Sequence, residues 1–514
     1  MKSYLLYPDR DYVRGEVLEG YKDLWFDTII NHLCVYDKYI KDIYLDSKNL
    51  MSQDPKVIKY RQDILKDFIK NKDVVINLYQ FINELLTEFY NERFEMMPKH
   101  VTASYQSAIR ISKRLTMALE NMNRYYEKYE EGFKSEGFKG YINRFRNVFS
   151  MDYIEKLNMM FDKLKFPKGY YVKAGLNDKL DIANLELYSD VSSMKEEKKK
   201  LIANGVQLRN KVSILPTYEL DIKEDKKWKH AKTIENPKAL ATSEEAYNHF
   251  TDEALISVAP SVCNLVNDIV EYLKKTREEM AFYIGAINLY DKLMKKGLAI
   301  CTPKPYPKNE TRFKCDGLYD VALALQSDKE VVGNTLDSEG RSIMFITGAN
   351  QGGKTTFLRS YGQAIIMMQL GLFVSGKSFE SNTFSDIFTH FNKEEDKSME
   401  SGKLDEELSR LDDILSSIKR ESLMLFNESF QSTAEREGST IAFDIIRALH
   451  EKNITVVSVS HMYYLYTLLD DLYGDKDIYY LRASREDSGE RSYKLVCDKP
   501  LRTSFALDLY KEIF

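Results

Sequence analysis

Nine consecutive residues in the C-terminal half of the chain have the types and spacing to hold a phosphate group. They are Gly348, Ala349, Asn350, Gln351, Gly352, Gly353, Lys354, Thr355 and Thr356, and they match the pattern G-x-x-x-x-G-K-[ST]. In this pattern, backbone N–H groups surround the β-phosphate, the lysine reaches the β- and γ-oxygens, and the next hydroxyl binds Mg²⁺. The preceding apolar run, 343–346, predicts a buried strand, and a helix is expected from about Lys354. The segment therefore predicts a nucleoside triphosphate site, with a chance match in a loop as the alternative.

Two later apolar runs end in residues that would complete such a site. Residues 422–426 lead into Asn427 and Glu428, and residues 455–459 lead into Ser460 and His461. Folds of this class place a magnesium-organising residue and a water-polarising carboxylate at the first strand end. Taken alone, Glu428 also fits a surface acid and His461 a half-buried histidine. Their order behind the phosphate motif favours catalytic roles for both, with Thr355 and Asn427 at the metal.

These motifs resemble those of the MutS family. Segment 348–356 resembles its phosphate-binding loop, with Ala-Asn-Gln where the family usually has Pro-Asn-Met. Segment 427–433 resembles the family's second motif and the loop after it, and segment 460–461 resembles its Thr-His pair. Segment 332–334 resembles the family's adenine-side segment, and segment 504–506 resembles its closing Ser-Tyr-Gly. The similarity runs from about residue 289 to about 506 and is weaker in the N-terminal part. The resemblance implies an ATPase that uses ATP and Mg²⁺, with Val332 and Asn334 beside the adenine.

The resemblance also implies ABC-type pairing, in which a signature segment of one subunit contacts the nucleotide of the other. The candidate is Ser401, Gly402 and Lys403, ahead of a predicted helix at 404–418. Leucine or isoleucine at 404, 408, 411, 415 and 418 gives that helix an apolar face. Its N-terminus would face a partner's γ-phosphate, although the acids at 405–407 would repel that group. We therefore expect a homodimer closed through composite ATP sites, with an ordinary amphipathic surface helix as the alternative.

Two departures from the family pattern refine this expectation. Asn427 stands where most members have an Asp, and an amide carries no charge to pair with Mg²⁺. Because Glu428 is kept, we expect a slow ATPase that serves as a conformational switch. Residues 1–166 contain no Phe-x-Glu element, so the family's N-terminal mismatch-reading domain is not expected. A C-terminal nuclease-like domain is not expected either.

The rest of the chain predicts a mixed fold class. Helical periodicity over 1–150 and 255–298 surrounds a mixed segment, and Pro303, Pro305 and Pro307 indicate a linker. We expect an all-α core and lever region over residues 1–302, with a reduced clamp-like insertion at about 151–250. An α/β P-loop ATPase domain of the ABC type is expected over residues 303–514.

Composition limits the partners and the compartment. The net charge of −5 gives no general attraction to nucleic acid, so any such binding needs local patches. The five scattered cysteines predict neither a disulfide framework nor a zinc site. No signal peptide or membrane-spanning segment is evident, so a cytoplasmic protein without a membrane partner is expected.

The candidate patches are Lys198, Lys199 and Lys200, and Lys227, Trp228 and Lys229. Lysines contact phosphates without reading sequence, and Trp228 could stack on an unpaired base, but interleaved acids also fit a solvated charged face. We expect a nucleotide-gated dimeric clamp or structure sensor on double-stranded or branched DNA, related to mismatch repair or recombination. The alternatives are a nucleotide-driven RNA- or ribosome-binding factor and a structural protein with a vestigial site; the intact Lys354, Thr355 and Glu428 disfavour the second.

Overall fold

The computed structural model describes residues 3–10, 12–13, 22–93, 101–164, 171–176, 182–188, 233–235, 259–349, 352–392, 402–485 and 491–501. The chain forms two compact units. The first comprises Met1–Ser3, Ile76–Phe133 and Lys139–Arg277, and the second comprises Tyr4–Val75, Lys134–Phe138 and Glu278–Phe514. Helices and strands both contribute, which agrees with the predicted mixed class.

The described N-terminal part is helical, as its periodicity predicts. Aspartates start two of these helices: Asp37 accepts hydrogen bonds from the N–H groups of residues 39 and 40, and Asp54 does so from Lys56, with Pro55 at the first helical position. The helices are α1 (Phe26–Cys34), α2 (Lys38–Leu45), α3 (Ser47–Leu50), α4 (Pro55–Lys70), α5 (Lys72–Arg93), α6 (Val101–Tyr129), α7 (Glu136–Val148) and α8 (Met151–Leu164).

The first unit combines long helices with a small antiparallel sheet. Helix α6 lies within the helical periodicity predicted over residues 1–150. Helix α9 (Ala259–Lys295) covers most of the periodicity predicted at 255–298, and its residues from Glu278 onwards belong to the second unit. The sheet has the order β1 (Tyr171–Leu176), β2 (Ile182–Tyr188) and β3 (Thr233–Glu235). Most of the predicted clamp-like insertion at about 151–250 lies outside the described residues. None of the helices that the structure describes combines the length and apolar character needed to cross a membrane.

The second unit is built on a six-stranded sheet in the order β11-β12-β13-β8-β14-β15. Five strands run parallel and the edge strand β15 is antiparallel to β14. The three strands predicted from apolar runs are β8, β12 and β13. The strand bounds are β8 (Ile343–Thr347), β11 (Ile387–Phe391), β12 (Leu423–Asn427), β13 (Thr455–Val459), β14 (Ile478–Arg485) and β15 (Arg491–Cys497).

The second unit also contains two smaller sheets. One has the order β5-β10-β6-β7, and the other pairs β4 with β9. The proline segment predicted as a linker is therefore partly strand: Pro305 lies in the edge strand β5, where a missing N–H costs no ladder bond. The bounds are β4 (Ile300–Cys301), β5 (Lys304–Tyr306), β6 (Phe313–Leu318), β7 (Asn334–Asp337), β9 (Val374–Ser375) and β10 (Ser378–Asn382).

Further helices of the second unit lie between its strands in the chain. They are α10 (Val321–Gln326), α11 (Lys354–Leu370), α12 (Lys403–Ser417), α13 (Glu435–Glu451), α14 (Tyr463–Leu472) and α15 (Gly474–Asp477). Helix α11 is buried on nearly all sides. Residues from α12, α13 and α14 pack with β8, β12 and β13 into one apolar cluster around Phe345, Phe426 and Leu469. This packing fixes the strand ends that carry the polar motifs.

The N-terminal segment belongs to the same unit as these strands. Arg61, fully buried on α4, donates to the carbonyl oxygen of Leu370 at the end of α11 (3.2 Å). Gln363 of α11 donates to the Leu24 carbonyl oxygen (2.9 Å), and Thr389 of β11 donates to Asp23 (2.8 Å). The predicted boundary between residues 302 and 303 stays a prediction.

Candidate nucleotide site

The predicted motifs converge because parallel strands end at one edge of a sheet. In register, Asn427 of β12 lies beside Val459 of β13, and Val459 lies beside Ile346 of β8. The residues that follow these strands, including Gly348, Glu428 and His461, therefore share the carboxyl edge. Ligands of open α/β sheets bind at this edge.

The loop after β8 depends on its glycines. Gly348 and Gly353 have φ values of 119° and 89°, a region that other residues rarely adopt. A Cβ on Gly348 or Gly352 would lie 2.9 or 2.8 Å from the Cβ of Ala483 on β14. The loop thus packs tightly against β14 and turns directly into α11 at Lys354. Asn350 and Gln351 lie outside the described residues.

Lys354 is buried at the start of α11. Its Nζ donates to the carbonyl oxygens of Gly348 (2.8 Å) and Ala349 (2.9 Å). Burial lowers the pKa of this ammonium from its ordinary value to about 8, and the nearby Glu428 carboxylate only partly offsets that effect. Among the described residues, this desolvated cation donates to two loop carbonyl oxygens, and such a cation suits an incoming anion.

The two residues predicted at the metal are in contact. The Thr355 hydroxyl donates to Oδ1 of Asn427 (3.0 Å), and both side chains are half-buried. These are oxygen donors without a charge, and no group of three or more His, Cys, Asp or Glu residues with ligand geometry occurs among the described residues. Such a set fits Mg²⁺ held mainly by nucleotide phosphates and water. Thr356, next along α11, is also half-buried.

Glu428 and His461 form a pair at the same edge. Nε2 of His461 lies 2.8 Å from Oε1 of Glu428. This hydrogen bond is the main reason why the pKa of Glu428 lies below its ordinary value; burial opposes the shift, and the charges of His461 and Lys354 assist it. Glu428 has a φ of 54° and Phe430 a φ of 64°. A left-handed non-glycine residue costs about 1–3 kcal/mol, so the surrounding contacts must impose this turn.

The candidate signature segment begins α12. Gly402 is exposed at the helix N-cap, Ser401 lies outside the described residues, and the Lys403 side chain is also outside them. The predicted apolar face is correct at 404, 408, 411 and 418, which pack on the core cluster, but wrong at Leu415, which is exposed. Ile414 packs on the cluster in its place.

Glu407 differs from the prediction that it would repel a partner's γ-phosphate. Its side chain is buried, and its two carboxylate oxygens accept hydrogen bonds from the Phe430 N–H (2.7 Å) and the Ser432 hydroxyl (3.1 Å). A signal was present in the sequence: Glu407 follows Leu404 by three residues and precedes Leu411 by four, so it lies within the apolar face.

One residue of the predicted adenine-side segment takes part in a hydrogen bond that joins two strands. Asn334 is buried on β7, and its Oδ1 accepts the N–H of Leu495 on β15 (2.7 Å). Val332 is half-buried. Tyr493 of β15 was not identified from sequence, although its carbonyl oxygen lies 3.0 Å from the position of a Cβ on Gly353 and its side chain is exposed. Only tertiary structure brings β15 to the loop.

The nucleic-acid candidates Lys198, Lys199, Lys200, Lys227, Trp228 and Lys229 lie outside the described residues, as does 504–506.

Comparisons with known proteins place similarity on both parts of the chain. The model of the MutS2 N-terminal domain matches residues 53–296, and the model of MutS domain V matches residues 344–509. A DNA mismatch repair protein MutS of Lactobacillus delbrueckii is 32% identical over 172 residues, which is 33% of this chain and 20% of that protein. Proteins of the same name from Clostridium botulinum and Bacillus velezensis are 23% identical over 387 residues and 25% identical over 350 residues.

The last two matches include 69% and 62% of this chain. The chain therefore spans between a fifth and two-fifths of the length of these relatives, with 20%, 40% and 39% of their residues matched. The two domain models, on separate segments, and these relatives together show that the protein belongs to the MutS family.

Proposed function

We propose that this protein is a slow Mg²⁺-dependent ATPase that uses nucleotide binding as a conformational switch on DNA. The observation that supports it most directly is the meeting of Lys354, the Thr355–Asn427 pair and the Glu428–His461 pair at one sheet edge. No one of these groups would be enough by itself for Mg²⁺-dependent ATP hydrolysis. Together they supply a cation for phosphates, oxygen donors for a metal, and a base for water.

Each residue has a chemical task in this proposal. Lys354 turns its ammonium from the loop carbonyls to the β- and γ-phosphate oxygens. The low pKa of Glu428 keeps its carboxylate ionised near neutral pH, so it can accept a proton from the attacking water. His461 orients that carboxylate through the 2.8 Å contact. Bound Mg²⁺ would neutralise phosphate charge, and Thr355 and Asn427 would hold its ligand shell.

Slow turnover follows from two features of the site. Asn427 brings no charge to the metal shell. Glu428 is engaged by His461, so accepting a proton means weakening a contact that favours the ionised form. A site of this kind keeps ATP bound for long periods, which suits a switch.

The partners are inferred from the family. The relatives named above are DNA mismatch repair proteins, and we propose double-stranded or branched DNA as the ligand of a homodimer closed through Gly402 and its neighbours. No described residue supports RNA or ribosomes as the ligand. The layout of a helical core and lever region followed by an ABC-type ATPase domain is part of the same proposal.

One experiment tests the activity and the ligand together. Purified protein is assayed for ATP hydrolysis with Mg²⁺, and the ATP-loaded form is titrated with homoduplex, mismatched, branched and single-stranded DNA, structured RNA and ribosomes at two salt concentrations. Lys354→Ala is the control, with ATP affinity expected to fall at least about tenfold. Absence of hydrolysis in the wild type would refute the ATPase, and preference for RNA or ribosomes would refute DNA as the ligand.

A further inference from the structure

The turn that carries Glu428 is held by contacts from a different part of the unit. Glu428 and Phe430 are both left-handed, and the two residues are separated only by Ser429. The N–H of Glu428 donates to the Val459 carbonyl oxygen (2.9 Å), which fixes the start of the turn on β13. Three of the following turn residues, Ser429, Phe430 and Ser432, donate hydrogen bonds to β11 or α12.

Glu407 of α12 binds the turn directly. Its carboxylate accepts from the Phe430 N–H at 2.7 Å and from the Ser432 hydroxyl at 3.1 Å. The Glu407 side chain is buried, and the low dielectric of the buried surroundings strengthens its hydrogen bond with the Phe430 N–H. Phe430 and Ser432 thus both depend on one side chain of α12, the helix that begins at the candidate signature segment.

His390 of β11 adds a second link between α12 and the turn. Nε2 lies 3.1 Å from the Glu407 carbonyl oxygen, and Nδ1 lies 2.7 Å from the Ser429 hydroxyl. A carbonyl oxygen can only accept, so we assign the proton to Nε2. The single hydroxyl hydrogen of Ser429 then lies between two acceptors, Nδ1 and the His390 carbonyl oxygen, which is 2.8 Å from the Ser429 hydroxyl. Burial lowers the pKa of His390, in agreement with a neutral ring. The ring also stacks on Phe430, with centroids 5.5 Å apart.

We propose that Glu407 is a positioning residue for ATP hydrolysis, through which α12 sets the conformation of the turn 428–432 and thereby the aim of Glu428. The inference rests on the proposed ATPase function. It assigns Glu407 no contact with nucleotide. A displacement of α12 on contact with a partner's nucleotide would reach Glu428 through these bonds, so hydrolysis would depend on closure of the dimer.

The test compares substitutions on one helix. Glu407→Ala should lower kcat at least about tenfold while the Kd for ATP stays within about threefold, because the turn is misplaced but Lys354 is not. Glu407→Gln keeps an acceptor for the Phe430 N–H and should recover kcat to within about threefold of wild type. Asp412→Ala, which removes an exposed acid of α12, should leave both constants unchanged. Amide hydrogen exchange of residues 428–432 should be faster only in the Glu407→Ala protein.

Several outcomes would overturn the proposal. An unchanged kcat in Glu407→Ala would do so, as would equal losses of kcat and ATP affinity, or unchanged hydrogen exchange of 428–432. If Glu407→Ala does not fold, Ser432→Ala removes one donor of the same network and should lower kcat about threefold without changing Kd; an unchanged kcat there overturns the proposal instead. Absence of hydrolysis in the wild type refutes the proposed function itself, whereas an active wild type with an equally active Glu407→Ala refutes only this inference.

Discussion

At the scale of single residues, the site is defined by groups whose pKa the fold has shifted. Lys354 is desolvated and Glu428 is engaged by His461, and the two affect each other's pKa in opposite directions. Such paired perturbations are typical of functional sites. They lead to two predictions that can be tested with purified protein.

The first concerns pH. The pKa of Lys354 is lowered to about 8 in the free protein, and bound polyphosphate favours the charged amine and raises it. Affinity for ATP is therefore complete below pH 8 and declines above it, since binding must then include uptake of a proton. We expect Kd to rise by up to about tenfold per pH unit from about pH 8 to about pH 10. Equilibrium titrations across this range measure it, and Lys354→Arg, which stays protonated, should show a flatter profile.

A wild-type Kd that does not change between about pH 7 and pH 9.5 would mean that Lys354 carries its proton throughout, or that it does not contact the phosphates.

The second prediction concerns the metal. Asn427→Asp keeps an acceptor for the Thr355 hydroxyl, which now lies 3.0 Å from the amide oxygen, and adds a charge that pairs with Mg²⁺. The Mg²⁺ concentration for half-maximal hydrolysis should fall severalfold, by about threefold or more. Metal titrations at saturating ATP measure this, with Thr356→Ser, which lies on α11 next to Thr355, as a control. An unchanged or higher requirement would assign Asn427 to positioning of the following turn.

At the scale of secondary-structure elements, α13 approaches the turn after β12 most closely at Gly438. Gly438 of α13 is buried, and a Cβ there would lie 2.2 Å from the Phe430 carbonyl oxygen. Only glycine allows the helix to approach a turn that Glu407 and His390 already fix from the other side. The turn is thus held by elements that precede and follow it in the chain.

Gly438→Ala should therefore destabilise the protein despite the higher helix propensity of alanine. Propensity favours the change by about 1 kcal/mol at most, and overpacking against a fixed backbone costs about 1–3 kcal/mol. We expect a lower thermal midpoint together with a reduced kcat. Gly140→Ala is the matched control, because its Cβ would meet only the flexible end of Arg144, at 3.1 Å. Equal midpoints for Gly438→Ala and wild type would show that the turn can move without cost.

At the scale of the whole molecule, the proposed switch is a dimer closed by ATP. Glu428→Gln removes the base, so hydrolysis should fall by about 10²–10⁴-fold while ATP binding persists. ATP retained at the site favours the paired state by its differential affinity. Sedimentation of this variant should show dimer with ATP and Mg²⁺, and monomer or a looser dimer without them.

Gly402 allows a specific challenge to that dimer. It is exposed, and a Cβ there would meet nothing closer than the Asp405 carboxylate at 3.9 Å. Gly402→Arg added to Glu428→Gln should therefore leave the subunit and its ATP affinity intact but prevent closure. Ser416→Arg, at the exposed far end of α12, is the matched control and should still close. If the protein with both Gly402→Arg and Glu428→Gln still forms the closed dimer with ATP, residues 401–403 are not the signature segment.

The sequence alone determined the features that depend on neighbouring residues. The phosphate loop, β8, β12 and β13, and the start of α11 at Lys354 follow from apolar runs and glycine spacing. The meeting of these motifs at one edge could also be predicted, because the carboxyl ends of parallel strands lie at the same edge of a sheet. The family followed from the same motifs.

Only the tertiary structure decided the features that depend on distant partners. The burial of Glu407 requires the turn 430–432 as its hydrogen-bond partner, and no local pattern states that an acid within an apolar face will find one. The left-handed Glu428, the approach of Tyr493 to the loop, and the inclusion of residues 4–75 in the unit of the six-stranded sheet have the same cause. Each rests on contacts between segments far apart in the chain, which the packing of the whole unit selects and the spacing of residues does not encode.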